Sequence, residues 1–326
     1  MQTRTPPEPA RPVRRGRAAI WVAVTAAVYV LLLVYVDRER NLFSQLRQLA
    51  GPLLLCAALV LLGYLLRYQR WRLLLGGLET VHVSWWRGLW GYIAGFAFTA
   101  SPGKAGELLR IRYFGWQGIA ARSTLTAFIF ERAQDLLIIT MLASGAATLI
   151  AAFGLLVGCV AMVVLGVTAP ALSPALGGFV RRVVARLPGA SVRRLGSFLV
   201  EGTCALAPLV RGRLAVESAL LGALAWLLTA LAFWLLCDAL EISLAMHLAL
   251  GIYPLAMLIG ALSFIPGGVG TTEAAIVLML AATGVDTDRA LTAAVGIRLA
   301  SLWLAVLLGM LAVARLEVGR LWRARS

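Results

Sequence analysis

At 326 residues, with 61% hydrophobic and 14% charged side chains and a mean hydropathy of +0.87, the chain is too apolar for a soluble globule. Its net charge of +15, carried by 29 Arg and one Lys, would suit nucleic acid or an anionic lipid surface. Because the arginines stand beside apolar runs long enough to cross a bilayer, the lipid reading holds and nucleic acid is not an expected partner. Four scattered cysteines, Cys56, Cys159, Cys204 and Cys237, form no C-x-x-C pair, so neither a disulfide frame nor a metal site is expected.

In chain order, residues 1–17 are polar, proline-containing and basic, and read as a disordered cytoplasmic tail. Ala18–Val36 is an uncleaved first span, and Asp37–Arg47 lies outside. Gly51–Leu66 returns and ends in Arg67, Arg70 and Arg72 interleaved with Tyr68 and Trp71, a pattern of interfacial anchors. Gly88–Ala100 is too short to cross alone, and 88–116 reads as a re-entrant hairpin. Gly118–Leu142 and Ala146–Thr168 are spans, and 170–213 is a basic cytoplasmic loop with amphipathic pieces. Glu217–Leu236 crosses outward, 244–283 forms a second hairpin with Asp286 and Asp288 at its exit, and Ala290–Ala314 crosses inward to a basic tail, 315–326.

Arginine placement sets the orientation. The expected inner stretches (1–17, 67–87, 170–213 and 315–326) hold 20 Arg, and the outer ones (37–47, 238–243 and 284–289) hold 4. Both termini are then cytoplasmic, in what reads as a bacterial cytoplasmic membrane. The expected fold is all-α and polytopic, with about six full spans plus two re-entrant broken-helix hairpins. One domain, 18–314, divides into inverted repeats at about 18–143 and 146–314.

The two hairpin breaks carry one pattern. Ile265–Glu273 reads IPGGVGTTE, and Ser101–Glu107 reads SPGKAGE. Pro102, Gly103 and Gly106 match Pro266, Gly267 and Gly270, and an acid follows each. From Glu107 to Arg132 is 25 positions, and from Glu273 to Arg298 is again 25. In the second copy Thr271 and Thr272 offer N-cap hydroxyls. A helix N-terminus at such a break accepts anions, because its N–H groups are free and the helix dipole is positive there.

Ionisable groups are costly at mid-bilayer, at least about 2.5 kcal/mol each on insertion scales. Glu131, Arg132 and Asp135 lie within one span and Arg298 within another, so they face a bundle interior or a cavity. Arg132 and Asp135 are spaced to pair at i,i+3. The expected substrate-binding set is Lys104, Glu107, Arg110, Glu131, Arg132, Asp135, Gly267, Gly268, Gly270, Glu273 and Arg298. The same charges also fit a second role, a network that braces helices against hairpins. His82 and His247 have no metal-ligand spacing, no nucleophile elbow or phosphate-binding loop is placed for chemistry, and no catalytic residue or cofactor is expected.

The runs FIPGGVGTTE and SPGKAGELLR, the buried ERAQD and the late Arg298 resemble the transmembrane, flippase-like domain of lysylphosphatidylglycerol synthases, over roughly 18–314. The resemblance implies translocation of a polar-headgroup lipid that bears phosphate, with aminoacylated and polyprenyl-linked lipids among the candidates and the substrate left open. The chain stops about 12 residues after its last span, so it resembles stand-alone members without the soluble synthase domain. A lipid-modifying enzyme acting in trans is the partner this implies. The alternatives are a membrane-embedded transferase in lipid-linked sugar or aminoacyl-lipid synthesis, or a non-catalytic partner of such an enzyme.

Overall fold

In lipid a backbone has no water to satisfy its N–H and C=O groups, so apolar runs must become helices. A computed structural model describes residues 23–27, 29–31, 34, 37 and 42–323 without 211; at 42–43, 102–105 and 321–323 only the backbone is described. The expected N-terminal tail, much of the first span, the side chain of Lys104 and residues 324–326 lie outside the described residues. Those described form helices and no strand.

The helices are α1 (Leu42–Gln48), α2 (Ala50–Gly76), α3 (Trp85–Ala94), α4 (Arg110–Gly115), α5 (Ala121–Ala143), α6 (Phe153–Leu172) and α7 (Pro174–Ala185). They continue as α8 (Ala190–Cys204), α9 (Ala207–Val210), α10 (Arg213–Ala239), α11 (Met246–Leu262), α12 (Thr271–Ala282), α13 (Thr287–Arg298) and α14 (Leu304–Arg323). Among the described residues four helices are long and apolar enough to cross a membrane: α2, α6, α10, and the continuous run Thr287–Arg320. That last run contains one π-helical stretch, Leu299–Trp303, directly after Arg298. At 23 residues α5 has the length of a span, but it carries Arg122, Glu131, Arg132 and Asp135. Of these, Glu131 and Asp135 are buried and Arg132 is half-buried, while Arg122 at the helix start is exposed.

Lipid-facing surface is plainest on α6, where Leu155, Met162 and Leu165 are more than 60% exposed and only Val160 is buried. The basic loop expected at 170–213 folds as α7 and α8, which pack on each other and on α6. Leu176, Phe179 and Val183 leave an apolar stripe exposed along α7, as an amphipathic piece should.

Both hairpins form. The first runs through α3, a 3-10 turn (Gly95–Phe98), a second 3-10 segment (Pro102–Leu109) and α4. The second runs through α11, a 3-10 turn (Pro266–Gly268) and α12. Their breaks meet: a Cβ on Gly267 would stand 3.3 Å from the Ala100 Cα.

The packing has a two-way correspondence. At the centre, α2 lies along α10, with Gly63 against the Ala225 carbonyl and the Cys56 thiol donating to the Ala232 carbonyl at 3.1 Å. Such close approach through small residues is how helices associate where lipid offers no hydrophobic drive. On one side α5 and the turn after it cover α11; on the other α14 covers α3 and Gly95–Phe98. Glycine permits both contacts. A Cβ on Gly251 would fall 2.6 Å from the Ala146 nitrogen, and one on Gly309 would fall 2.0 Å from the Ala97 nitrogen. Backbone cannot yield as a flexible side chain does, so Gly309→Ala should cost about 1–3 kcal/mol from overpacking. Gly158→Ala, with nothing within 4 Å, should be neutral or mildly stabilising. Thermal unfolding of the two purified variants checks this; equal midpoints would contradict the crossing.

Boundaries differ from the expectation: the span expected from Ala146 begins as α6 at Phe153, and the last helix runs past Ala314 to Arg323. After Leu66, α2 does not end but runs to Gly76, so Arg67 and Arg70 are not interfacial anchors. Arg67 is 8% exposed, and Arg70, Tyr68 and Trp71 are 0% exposed; only Arg72 of the group is exposed. Moving Arg67 and Arg70 out of the inner count takes 20 to 18 against 4, and the arginine asymmetry survives.

Candidate functional site

Two buried carboxylates on α5 organise the first half of the site. Asp135 accepts from Arg70 at 2.6 Å, Arg132 at 3.1 Å and Arg67 at 3.3 Å. One negative charge facing three guanidiniums leaves that point strongly positive. Glu131, fully buried, pairs with Arg132 at 2.9 Å and Arg110 at 3.3 Å, and accepts from the Tyr92 hydroxyl at 3.1 Å. Removing ions from water costs several kcal/mol each, and dense mutual pairing is what offsets it.

Arg110 is enclosed on every side. Its guanidinium lies 3.9 Å from the Tyr92 ring centroid and 5.0 Å from that of Trp71, and it pairs with Glu107 at 3.1 Å. Glu107 also accepts from Thr99 at 2.9 Å. In the second half, Glu273 accepts from Arg298 Nε at 2.9 Å, and Arg298 also donates to the Gly267 carbonyl. The acid–arginine spacing of 25 is therefore a direct contact in the second copy. In the first copy Arg110 takes Glu107, and Arg132 turns to Glu131 and Asp135.

The breaks differ from their expected capping. Neither Thr271 nor Thr272 is the N-cap of α12; Gly270 is, at φ +84°, and its N–H donates to Glu273 at 2.8 Å. Thr271 donates to the Gly268 carbonyl instead. In the first break the Ser101 hydroxyl accepts from the Gly106 N–H at 2.7 Å. These N–H groups, expected to be open to an anion, are taken by the protein's own oxygens. Matching glycines also serve different ends. Gly270 supplies a left-handed conformation in open space, whereas a Cβ on Gly106 would fall 2.2 Å from the Phe98 carbonyl oxygen.

Between these networks lies a cavity of about 670 Å³ including its mouth. Of the expected substrate-binding residues, Glu107, Arg132, Gly267 and Arg298 line it. Arg110, Glu131, Asp135 and Glu273 do not, but each pairs with a residue that does; Gly268 and Gly270 do not line it either. Lys104 has no described side chain. Sequence reasoning missed Arg67, whose guanidinium stacks 4.4 Å from the Trp226 ring centroid, and it missed the hydroxyl group of Tyr64, Tyr253 and Ser301. Tyr64 donates to the Ser301 carbonyl at 2.6 Å, at the π-helical stretch, and Tyr253 pairs with the Ser301 hydroxyl at 3.0 Å. The signal available for Arg67 was an excess of acid in a different span, where Glu131 and Asp135 flank the single Arg132.

Arginines from α2, α5 and α13 thus converge on one cavity at the meeting point of two broken hairpins, an arrangement suited to holding an anion. His82 and His247 are both exposed and away from it. No group of three or more metal-ligating side chains occurs among the described residues. No curated protein matches the chain. A family model described as the lysylphosphatidylglycerol synthase TM region matches residues 19–309. The chain therefore belongs to the lysylphosphatidylglycerol synthase TM region family, a membrane-domain family linked to lipid handling.

Proposed function

We propose that the protein is a lipid translocator of the cytoplasmic membrane, moving a lipid with a phosphate-bearing headgroup. The observation that carries this is the convergence of Arg67, Arg132 and Arg298 on a cavity lined from both hairpins. A headgroup docks among these arginines while its acyl chains stay in the lipid phase. The matched covering of α11 by α5 and of α3 by α14 supports inverted repeats at about 18–143 and 146–314, an architecture that exposes a midplane site alternately to either side. The arginine asymmetry supports cytoplasmic termini.

A transferase reading is less well supported. It needs a general base, and Glu131, Asp135 and Glu273 are each held by at least one arginine.

The test is headgroup-resolved lipid translocation by the purified full chain in proteoliposomes. Arg132→Gln removes a cavity charge whose side chain is 22% exposed, while Arg67 and Arg70 continue to pair Asp135. A lost hydrogen bond to a charged group is worth about 1.5–3 kcal/mol, so translocation should fall roughly 10- to 100-fold. A wild-type rate in this variant, or a wild-type protein that moves no lipid faster than protein-free vesicles, rejects the proposal.

A further inference from the structure

Every acidic side chain around the cavity is already engaged, and this bears on the charge of the ligand. Asp135 faces three arginines, Glu131 two, Glu107 one together with Thr99, and Glu273 one together with a backbone N–H. The network sets five guanidiniums (Arg67, Arg70, Arg110, Arg132 and Arg298), which stay protonated, against these four carboxylates. One positive charge is left over.

The unmet hydrogen-bonding capacity has the same sign. Among the cavity-lining residues, Arg132 at Nε and Trp226 at Nε1 carry a buried N–H without an acceptor, whereas Glu107 Oε2, which accepts no well-formed hydrogen bond, is held in the ion pair with Arg110 at 3.1 Å. The hydroxyls of Tyr64, Tyr253 and Thr229 are committed to partners within the protein. An acceptor-only anion satisfies what is missing. Among the described residues around the cavity an ammonium finds no carboxylate without an arginine on it and stands beside a net positive network, so its burial leaves a charge uncompensated.

We infer that the cavity selects lipids whose headgroup carries phosphate and no amine, and discriminates against the aminoacylated, cationic lipid that the family's description would suggest. This rests on the translocator reading only in taking the cavity as the place where the headgroup docks. Phosphatidylglycerol and a polyprenyl monophosphate are two sources of the required chemistry.

The test is competition for the purified full chain in detergent among phosphatidylglycerol, a polyprenyl monophosphate and lysylphosphatidylglycerol at equal mole fraction. Retained lipid is counted by native mass spectrometry. At least one of the two amine-free lipids should be retained about tenfold or more over lysylphosphatidylglycerol, corresponding to about 1.4 kcal/mol of discrimination. In Arg132→Gln that ratio should narrow. Equal or greater retention of lysylphosphatidylglycerol by the wild type, or no retention of any of the three, overturns the inference. A ratio unchanged in Arg132→Gln overturns its assignment to this cavity. Translocation of the same lipids in vesicles separates the two claims. Amine-free lipids that are retained but not moved leave the selectivity standing and end the translocator reading; lysylphosphatidylglycerol that is both retained preferentially and moved does the reverse.

Discussion

Asp135→Ala should destabilise the protein by about 3–5 kcal/mol, the range for removing one partner of a buried ion pair. The upper end is expected because three guanidiniums lose their shared counter-charge at once. Arg70 is 0% exposed and depends on Asp135 for its only carboxylate among the described residues, and Arg67 likewise. Arg132 keeps Glu131. Left together, the arginines repel one another where water cannot screen them. The result to look for is a protein that fails to accumulate in membranes or unfolds at a markedly lower temperature in detergent. Arg213→Ala, which removes an ion pair whose arginine is 91% exposed, should change the midpoint little. If Asp135→Ala and Arg213→Ala melt alike, the network around α5 does not stabilise the fold.

Proline and glycine made the hairpins legible, because they forbid or relax particular backbone states wherever they stand. Hence Pro102 and Pro266 marked both breaks. Side-chain partnerships were legible only where a repeat exposed them. Glu273 and Arg298 belong to different elements, and their contact follows from no helical period; the matched spacing in the other half suggested it. The first copy departs for a reason visible at one position. Three residues after Glu107 stands Arg110, whereas three after Glu273 stands Ile276. Arg110 therefore reaches Glu107 within its own turn and leaves Arg132 to line the cavity. Arg67 and Arg70 were hidden for a different reason. A run of apolar residues ending in arginines and aromatics has the same composition whether the helix stops at a membrane surface or continues into a protein interior. Only the carboxylate waiting on α5, 65 residues away along the chain, decides between them.

The Glu273–Arg298 pair separates bracing from binding. Arg298 ties the last long helix to the second hairpin twice, through Glu273 and through the Gly267 carbonyl, and Glu273 in turn caps α12. Among the described residues, Arg298→Met leaves a buried carboxylate without a guanidinium, and Glu273→Gln leaves a buried guanidinium without a carboxylate. Each should cost about 3–5 kcal/mol by the same mechanism as at Asp135. In Glu273→Gln/Arg298→Met both charges go together, and Gln still offers an oxygen to the Gly270 N–H, so the double variant should be more stable than either single one. The expected measurement from thermal unfolding is a coupling energy larger than either single cost, about 3 kcal/mol or more. Translocation then divides the two roles of Arg298, which also lines the cavity. If its charge meets the headgroup, the double variant regains its fold and still moves lipid roughly tenfold more slowly or worse, since a hydrogen bond to a charged group is gone. Recovery of the wild-type rate along with stability would make Arg298 a brace alone and leave Arg67 and Arg132 as the residues that hold the anion.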